Sequence, residues 1–435
     1  MLRGIASVAG TKVFALLCSF GATVLTIRII SAAYGPSEYG AVSLVAALIM
    51  IMPVADLGLS LNLTNQVARG AHTRSWTAFR LSFGPTTLLL CGIGVAVACV
   101  FGILGATGLW PALLGDASRL LGDPNSYMPI YGILCGLWVI SSPSYRLLAG
   151  LGRINTLIVL QSAGPVIAVT ATAITAASGG PLVMHAFFPL AGALISTSAG
   201  WLIVLPHIRS AVTSAPRIGQ LRRMHFASAL SAGLSGVLFT VGSQLMFAFD
   251  RVLLAQIGTA IALATFAASI ALYSAAQSAL GSFGTYMWPR YTRRRLDGTL
   301  SVKIVLRHTG FFAAIGVLAS VSIWFGYPLY AAVAGVRAPA DSLFVGTMAV
   351  LVFTQALLLA PTSALTTPRL LQAQGAALFG ALVVKVSLAV VLIPQFQASG
   401  VLIANVLGIW LVQLPTVAYL MTRHLGRTLS RGDTP

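Results

Sequence analysis

Twelve runs of apolar residues, each long enough to cross a bilayer as a helix, divide this chain almost from end to end, and no soluble fold accommodates them. Crossing the hydrocarbon core takes roughly 20 apolar residues at about 1.5 Å of rise each. Read between charged or Gly/Pro-bearing breaks, the runs fall near 10–33, 39–67, 80–106, 127–150, 154–178, 181–206, 226–256, 259–288, 304–334, 343–366, 370–393 and 398–422. Composition agrees, since 57% of the 435 residues are hydrophobic and 8% charged, against about 25% charged in ordinary soluble domains. The sequence predicts an all-α integral membrane protein with about twelve transmembrane helices. The first run follows Arg3 and Lys12 as a signal peptide would, but it is longer than a signal core and similar runs follow, so an uncleaved first span is expected.

The formal charge of +18 comes from 26 Lys and Arg against 8 Asp and Glu, a balance that in a soluble protein suggests nucleic acid. Its distribution says otherwise. With the amino terminus placed in the cytoplasm, 21 of the 26 cations fall on the inner side, in clusters such as Arg69, Arg74 and Arg80, or Arg290, Arg293, Arg294, Arg295, Lys303 and Arg307. The outer connections carry Arg119 and Arg337 beside Glu38, Asp116, Asp123 and Asp341. The bias follows the positive-inside rule across twelve crossings. No nucleic-acid partner is expected, both termini are expected to be cytoplasmic, and a prokaryotic inner membrane is the expected location. Trp110 and Trp324 fall near outer boundaries and Trp76 and Trp288 near inner ones, where interfacial anchors are expected.

The longest inner connection lies near the midpoint and separates six spans from six. It divides the chain into an N-terminal lobe at 1–206, a linker at 207–224, a C-terminal lobe at 225–422 and a tail at 423–435. Arg28 precedes Gly35 by seven residues, and Arg251 precedes Gly258 by seven at the corresponding place. These echoes suggest two six-helix lobes forming a parallel pseudo-repeat around a central cleft, an architecture of alternating-access transporters.

Ionisable residues within spans are costly, about 2.5 to 3.5 kcal/mol for an unpaired cation at the bilayer centre. Here they are Arg28, Asp56, His185, Asp250, Arg251 and Lys385. Arg28 either snorkels to outer headgroups or faces a cavity. Arg251 shares a helical stripe with Gly233, Gly236, Thr240, Ser243, Gln244 and Phe247, and the eighth span carries Ser269, Tyr273, Ser274, Gln277, Ser278 and Ser282. Stripes of this kind line wet cavities or serve helix packing. Asp56, below Pro53, is an ion-coupling site or the partner of a cation, and Asp250 has the same two readings. Asp250 and Arg251 are adjacent and so point to different faces. Lys385 has no ionisable neighbour in sequence and is the hardest to explain structurally. His185 is expected at the interface. Together the three cations Arg28, Arg251 and Lys385 suit an anionic headgroup, and arginine grips phosphate oxygens in two places at once. Cys18, Cys91, Cys99 and Cys135 lie in apolar runs without a C-x-x-C pair, so no metal site is expected.

Gly35-Pro36-Ser37-Glu38-Tyr39-Gly40 after an Arg-bearing first span, and then Asp56-Leu57-Gly58-Leu59, resemble the start of the polysaccharide transporters. These belong to the multidrug/oligosaccharidyl-lipid/polysaccharide exporter superfamily. The resemblance continues through Leu148-Ala149-Gly150-Leu151-Gly152-Arg153, Asp250-Arg251 with Gly258, and Ile393-Pro394 followed by Gly400 and Ala404. It implies a flippase that moves an undecaprenyl-pyrophosphate-linked oligosaccharide to the outer leaflet for surface polysaccharide synthesis, with Arg28 and Arg251 facing the cavity. Arg28, Arg251 and Lys385 would then hold the pyrophosphate, with Gln244 and Gln277 in the glycan cleft. Its partners would be the lipid-linked oligosaccharide, membrane lipids, and the polymerase and glycosyltransferases of the same pathway. No cofactor is called for, and a proton, sodium or the membrane potential would supply the energy. Ala264 and Phe266 depart from the Gly and Tyr usual in that family after Gly258. The alternatives are a cation-coupled multidrug exporter of the same superfamily and, from a different class, a membrane-bound glycosyltransferase or polymerase.

Overall fold

The computed structural model describes residues 2–52, 63–64, 66–67, 76–213, 225–336 and 341–425. Every regular element among them is helical. In chain order these are α1 (Leu2–Ala33), α2 (Pro36–Ala46) with a 3-10 continuation at Ala47–Ile51, α3 (Thr77–Ala106), α4 (Trp110–Leu114) and a 3-10 turn at Asp116–Leu121. Then come α5 (Pro124–Ser141), α6 (Pro143–Gly150), α7 (Ile154–Ala177), α8 (Met184–Thr213) and α9 (His225–Ile257). The remainder is α10 (Ala260–Leu296), α11 (Val302–Ala334), α12 (Ser342–Ala364), α13 (Pro368–Phe396), α14 (Ala398–Gly408), a π-helical turn at Ile409–Gln413 and α15 (Leu414–Leu425).

Ten helical segments among the described residues are long and apolar enough to cross a membrane. They match ten of the twelve runs read from the sequence. The other two have identifiable reasons for falling short. Residues 53–62 and 65 of the second run lie outside the described residues, leaving the apolar helix Pro36–Met50. The fourth is divided at Ser142, because Pro143 has no N–H to continue the ladder; the helix resumes as α6. The apolar exteriors are exposed, with Leu202 at 77%, Phe325 at 74% and Leu329 at 71% accessible. Only lipid makes such surfaces tolerable, so this is a multi-pass membrane protein.

The chain forms two compact units, Met1–Thr240 and Val241–Pro435, with the boundary inside α9. The α8 helix runs on through Pro206 to Thr213. Residues 214–224 of the connection between the halves, and 426–435 of the tail, lie outside the described residues.

Within unit 1 the helices approach through glycine. A Cβ on Gly136 of α5 would stand 2.4 Å from the Gly94 carbonyl oxygen of α3, and one on Gly192 of α8 would stand 2.3 Å from that of Gly164 in α7. Lipid is as apolar as leucine, so close backbone packing and interhelical hydrogen bonds hold such bundles. The hydroxyls of Ser141 and Thr197 are 2.7 Å apart, Ser144 Oγ donates to the Thr197 carbonyl at 2.8 Å, and Trp201 Nε1 donates to the Ser141 carbonyl at 2.9 Å. The break at Pro143 is thus sewn onto α8.

Unit 2 uses fewer bare crossings. Gly316 of α11 faces the Ala356 Cβ of α12 at 2.7 Å, and Gly408 of α14 faces the Ala381 carbonyl of α13 at the same 2.7 Å, each measured from a built Cβ. One end of the unit is closed by a core of Met287, Tyr291, Val305, Phe312, Met421 and Leu425. Trp110 lies just past the end of its span and is covered by protein. It is 4% exposed, donates from Nε1 to the Phe101 carbonyl at 3.1 Å and stacks obliquely on the Phe101 ring, because α4 folds back over the end of α3.

Candidate functional site

The most polar interior feature among the described residues lies in unit 2. Asp250, late in α9, is 1% exposed, and Lys385, inside α13, is fully buried. Lys385 Nζ stands 2.5 Å from Asp250 Oδ1. It also donates to the Met246 carbonyl, one turn before Asp250 on the same helix. The second carboxylate oxygen accepts from Asn405 Nδ2 of α14 at 3.4 Å. One carboxylate therefore joins three helices.

Local sequence explains the geometry. Asp250 and Met246 are four apart, so the carbonyl of one and the side chain of the other reach the same face. Gly408 sits against Lys385, with a built Cβ 3.3 Å from the lysine Cβ, and lets α14 come close enough for Asn405 to reach the carboxylate. Tyr273 of α10 is buried at 4% exposure, packs its ring 5.7 Å from Phe247, and feels the Asp250 charge. Its hydroxyl has no hydrogen-bond partner among the described residues. The positive charge of Arg251 also acts on Asp250. The Coulomb attraction of a pair this close offsets a large desolvation cost, so the pair holds together because neither charge can be left alone.

Lys385 is the residue whose placement departs most from expectation. Far from lacking a partner, it pairs with a carboxylate 135 positions earlier in the chain. Asp250, read as an ion-coupling or a pairing residue, pairs. Arg251 and Gln244 are half-buried on α9, and Gln277 on α10 is half-buried with a buried Oε1 that has no hydrogen-bond partner among the described residues. Arg28 is exposed near the end of α1 and belongs to unit 1. Asp56 lies outside the described residues. Asn405 was not anticipated from the sequence, where the amides singled out were Gln244 and Gln277. An asparagine inside an otherwise apolar span next to Gly400 and Ala404 was the available signal.

Unit 1 holds a second, uncharged cluster. Tyr34, just past α1, donates its hydroxyl to the Gly180 carbonyl at 2.7 Å, and His185 Nε2 lies 3.2 Å from the same oxygen. With the tyrosine proton committed to Gly180, its oxygen is the acceptor, so Nε2 carries the imidazole proton. Nδ1 is then a bare acceptor, buried without a partner among the described residues. His185 stands at the start of its span, as expected for an interfacial residue, and is 1% exposed, sitting edge-on to Tyr34 and Phe188. No group of His, Cys, Asp and Glu that could hold a metal occurs among the described residues.

No protein-family profile matches the chain, and no curated relative matches it. Solved structures do. An inward-facing multidrug resistance MATE family transporter of the MOP superfamily is similar over 95% of this chain and 96% of its own, at TM-score 0.69 and 15% identity. The chain has the MATE transporter fold. An outward-facing multidrug resistance MATE family transporter is similar over 98% of this chain and 97% of its own, at TM-score 0.65 and 14% identity. The eukaryotic MATE transporter AtDTX14 is similar over 99% of both chains, at TM-score 0.64 and 13% identity.

Proposed function

We propose that the protein is an alternating-access membrane exporter of amphipathic small molecules, coupled to a proton or sodium gradient. The observation that carries this reading is the fold, shared along 95% of the chain with a multidrug transporter. The charge of unit 2 agrees with it. With Lys385 neutralised by Asp250, the positive potential that would repel a cationic substrate is lowered. Both termini lie in the cytoplasm on this reading, and the cation bias of the connections orients the spans.

A second reading, a flippase for undecaprenyl-pyrophosphate-linked oligosaccharides, rests on the motif order from Gly35 to Gly400 and on the exposed guanidinium of Arg28. It would place Arg28 and Arg251 on the pyrophosphate and the glycan beside Gln244 and Gln277, with the polymerase and glycosyltransferases as neighbours. A glycan-forming enzyme is less well supported, because the longest outer connection is taken up by α4 and a 3-10 turn.

Reconstitution in proteoliposomes separates these. The exporter reading expects an imposed proton or sodium gradient to drive accumulation of a cationic dye, abolished when the gradient is collapsed. Dye that stays put while a lipid-linked oligosaccharide crosses at a rate sensitive to Arg28→Ala overturns it in favour of the flippase. Movement of neither sinks transport altogether.

A further inference from the structure

The end of unit 2 where α10 turns into α11 is more basic than topology requires. Arg290, Arg293, Arg294, Arg295, Lys303 and Arg307 fall within this one hairpin with Asp297 as its single acid, whereas the corresponding connection of the first half has Arg69, Arg74 and Arg80. One cation per connection biases orientation, and the excess here is concentrated on a fixed surface. The hairpin is held by backbone, since Thr299 and Leu300 both donate to the Arg294 carbonyl, at 2.8 and 3.0 Å, around Gly298 at φ 68. Arg295 donates to the Ala364 carbonyl and so ties the hairpin to the end of α12. Beneath it Tyr291 packs fully buried, with its hydroxyl 2.8 Å from His308 Nδ1. Burial pushes the Tyr291 hydroxyl up to about 12, so it adds no negative charge.

Arg290, Arg294, Lys303 and Arg307 are exposed along this one hairpin, and burial first, then the charges of Arg294, Arg307 and Arg290, bear on the His308 imidazole. Directly deeper along the same helix faces the surface becomes apolar. Phe311 follows Arg307 by four residues and Phe283 precedes Arg290 by seven, spacings that keep one face. Phe311 is 59% exposed and Phe283 43%, and both rings contact Phe312, at 5.5 and 5.9 Å between centroids. An aromatic seam thus runs from α10 to α11 below a cluster of guanidinium groups.

We propose that this surface is a binding site for an anionic phospholipid of the surrounding bilayer, with its phosphate among Arg290, Arg294 and Arg307 and an acyl chain along the exposed rings of Phe283 and Phe311, which the buried Phe312 holds from behind. The inference stands apart from the transported substrate. Charge over an apolar seam is what a diacyl phospholipid presents in mirror image, and a soluble anion or nucleic acid has no use for the lower half.

Phosphatidylglycerol is the probe, added to the full chain in detergent and counted by native mass spectrometry, with phosphatidylcholine and inorganic phosphate as the other arms. The triple variant Arg290→Gln, Arg294→Gln, Arg307→Gln is expected to retain phosphatidylglycerol more than about tenfold more weakly than wild type. The equal charge removal Lys12→Gln, Arg153→Gln, Arg209→Gln is expected to leave retention within about twofold. The charge-keeping Arg→Lys triple restores most of the binding and guards against misfolding, and Phe311→Ser weakens it with the cations intact. Equal losses in the two Gln triples would reduce the effect to bulk charge and overturn the proposal. So would displacement of the lipid by millimolar phosphate, or a Phe311→Ser variant that binds as wild type does.

Discussion

Unit 1 and unit 2 are both bundles of apolar helices, yet different contacts hold them. In unit 1 α3 meets α5, and α7 meets α8, backbone against backbone at paired glycines, and the polar contacts described there are neutral: Ser141 with Thr197, and Tyr34 with His185. In unit 2 the crossings carry at least one side chain, and α9, α13 and α14 converge on the carboxylate of Asp250. The first arrangement is tolerant of charge change and intolerant of added volume. The second is sensitive to charge change as well, because a buried ion pair fails when either partner goes, while its crossings at Gly316 and Gly408 leave no more room for a methyl group.

The largest expected effect follows from unit 2. Lys385→Met leaves Asp250 buried without its cation and should destabilise by about 3 to 5 kcal/mol, read as a fall in the thermal midpoint of the purified protein. Adding Asp250→Asn to that variant should recover most of the loss. If the double variant is no better than the single, the pair is not what holds these helices. Next comes volume in unit 1. Gly136→Ala should cost about 1 to 3 kcal/mol by driving a methyl group into the Gly94 carbonyl, while Gly92→Ala, which meets nothing within 4 Å, should be neutral or slightly stabilising. Equal effects at the two positions would remove the glycine argument. Tyr34→Phe, which deletes the hydroxyl shared by Gly180 and His185, should cost about 1 kcal/mol, visible as faster hydrogen exchange around 178–186. The smallest change is Ser141→Ala, about 0.6 kcal/mol if its bond to Thr197 behaves as interhelical hydroxyl contacts in membranes do; a double cycle with Thr197→Val would measure it.

Much of the architecture was legible because length and hydropathy alone decide whether a helix spans a bilayer. Ten of the expected runs appear where they were expected, and the break at Pro143 could have been anticipated from the proline itself. The site was less legible. Periodicity assigns a residue to a face of its own helix and says nothing about which distant helix that face meets. Lys385 could be recognised as needing a partner, but that the partner is Asp250, 135 positions away, depends on how α9, α13 and α14 pack. Trp110 is a related case: its place just past a span was legible, and that a local fold-back buries its ring there was not.

The π-helical turn at Ile409–Gln413 leaves slack in the register of the last span. A π turn closes its ladder from i to i+5 and so holds one residue more than an α turn in the same place. Asn405 before it still reaches Asp250, and Met421 and Leu425 after it still enter the core below α10. This span is therefore one residue longer than its path demands. Deleting Leu411, whose side chain is 62% exposed on the outside of the bundle, should restore an ordinary turn with both flanking faces in register. The same deletion in α12 or α13 would rotate every later contact out of place.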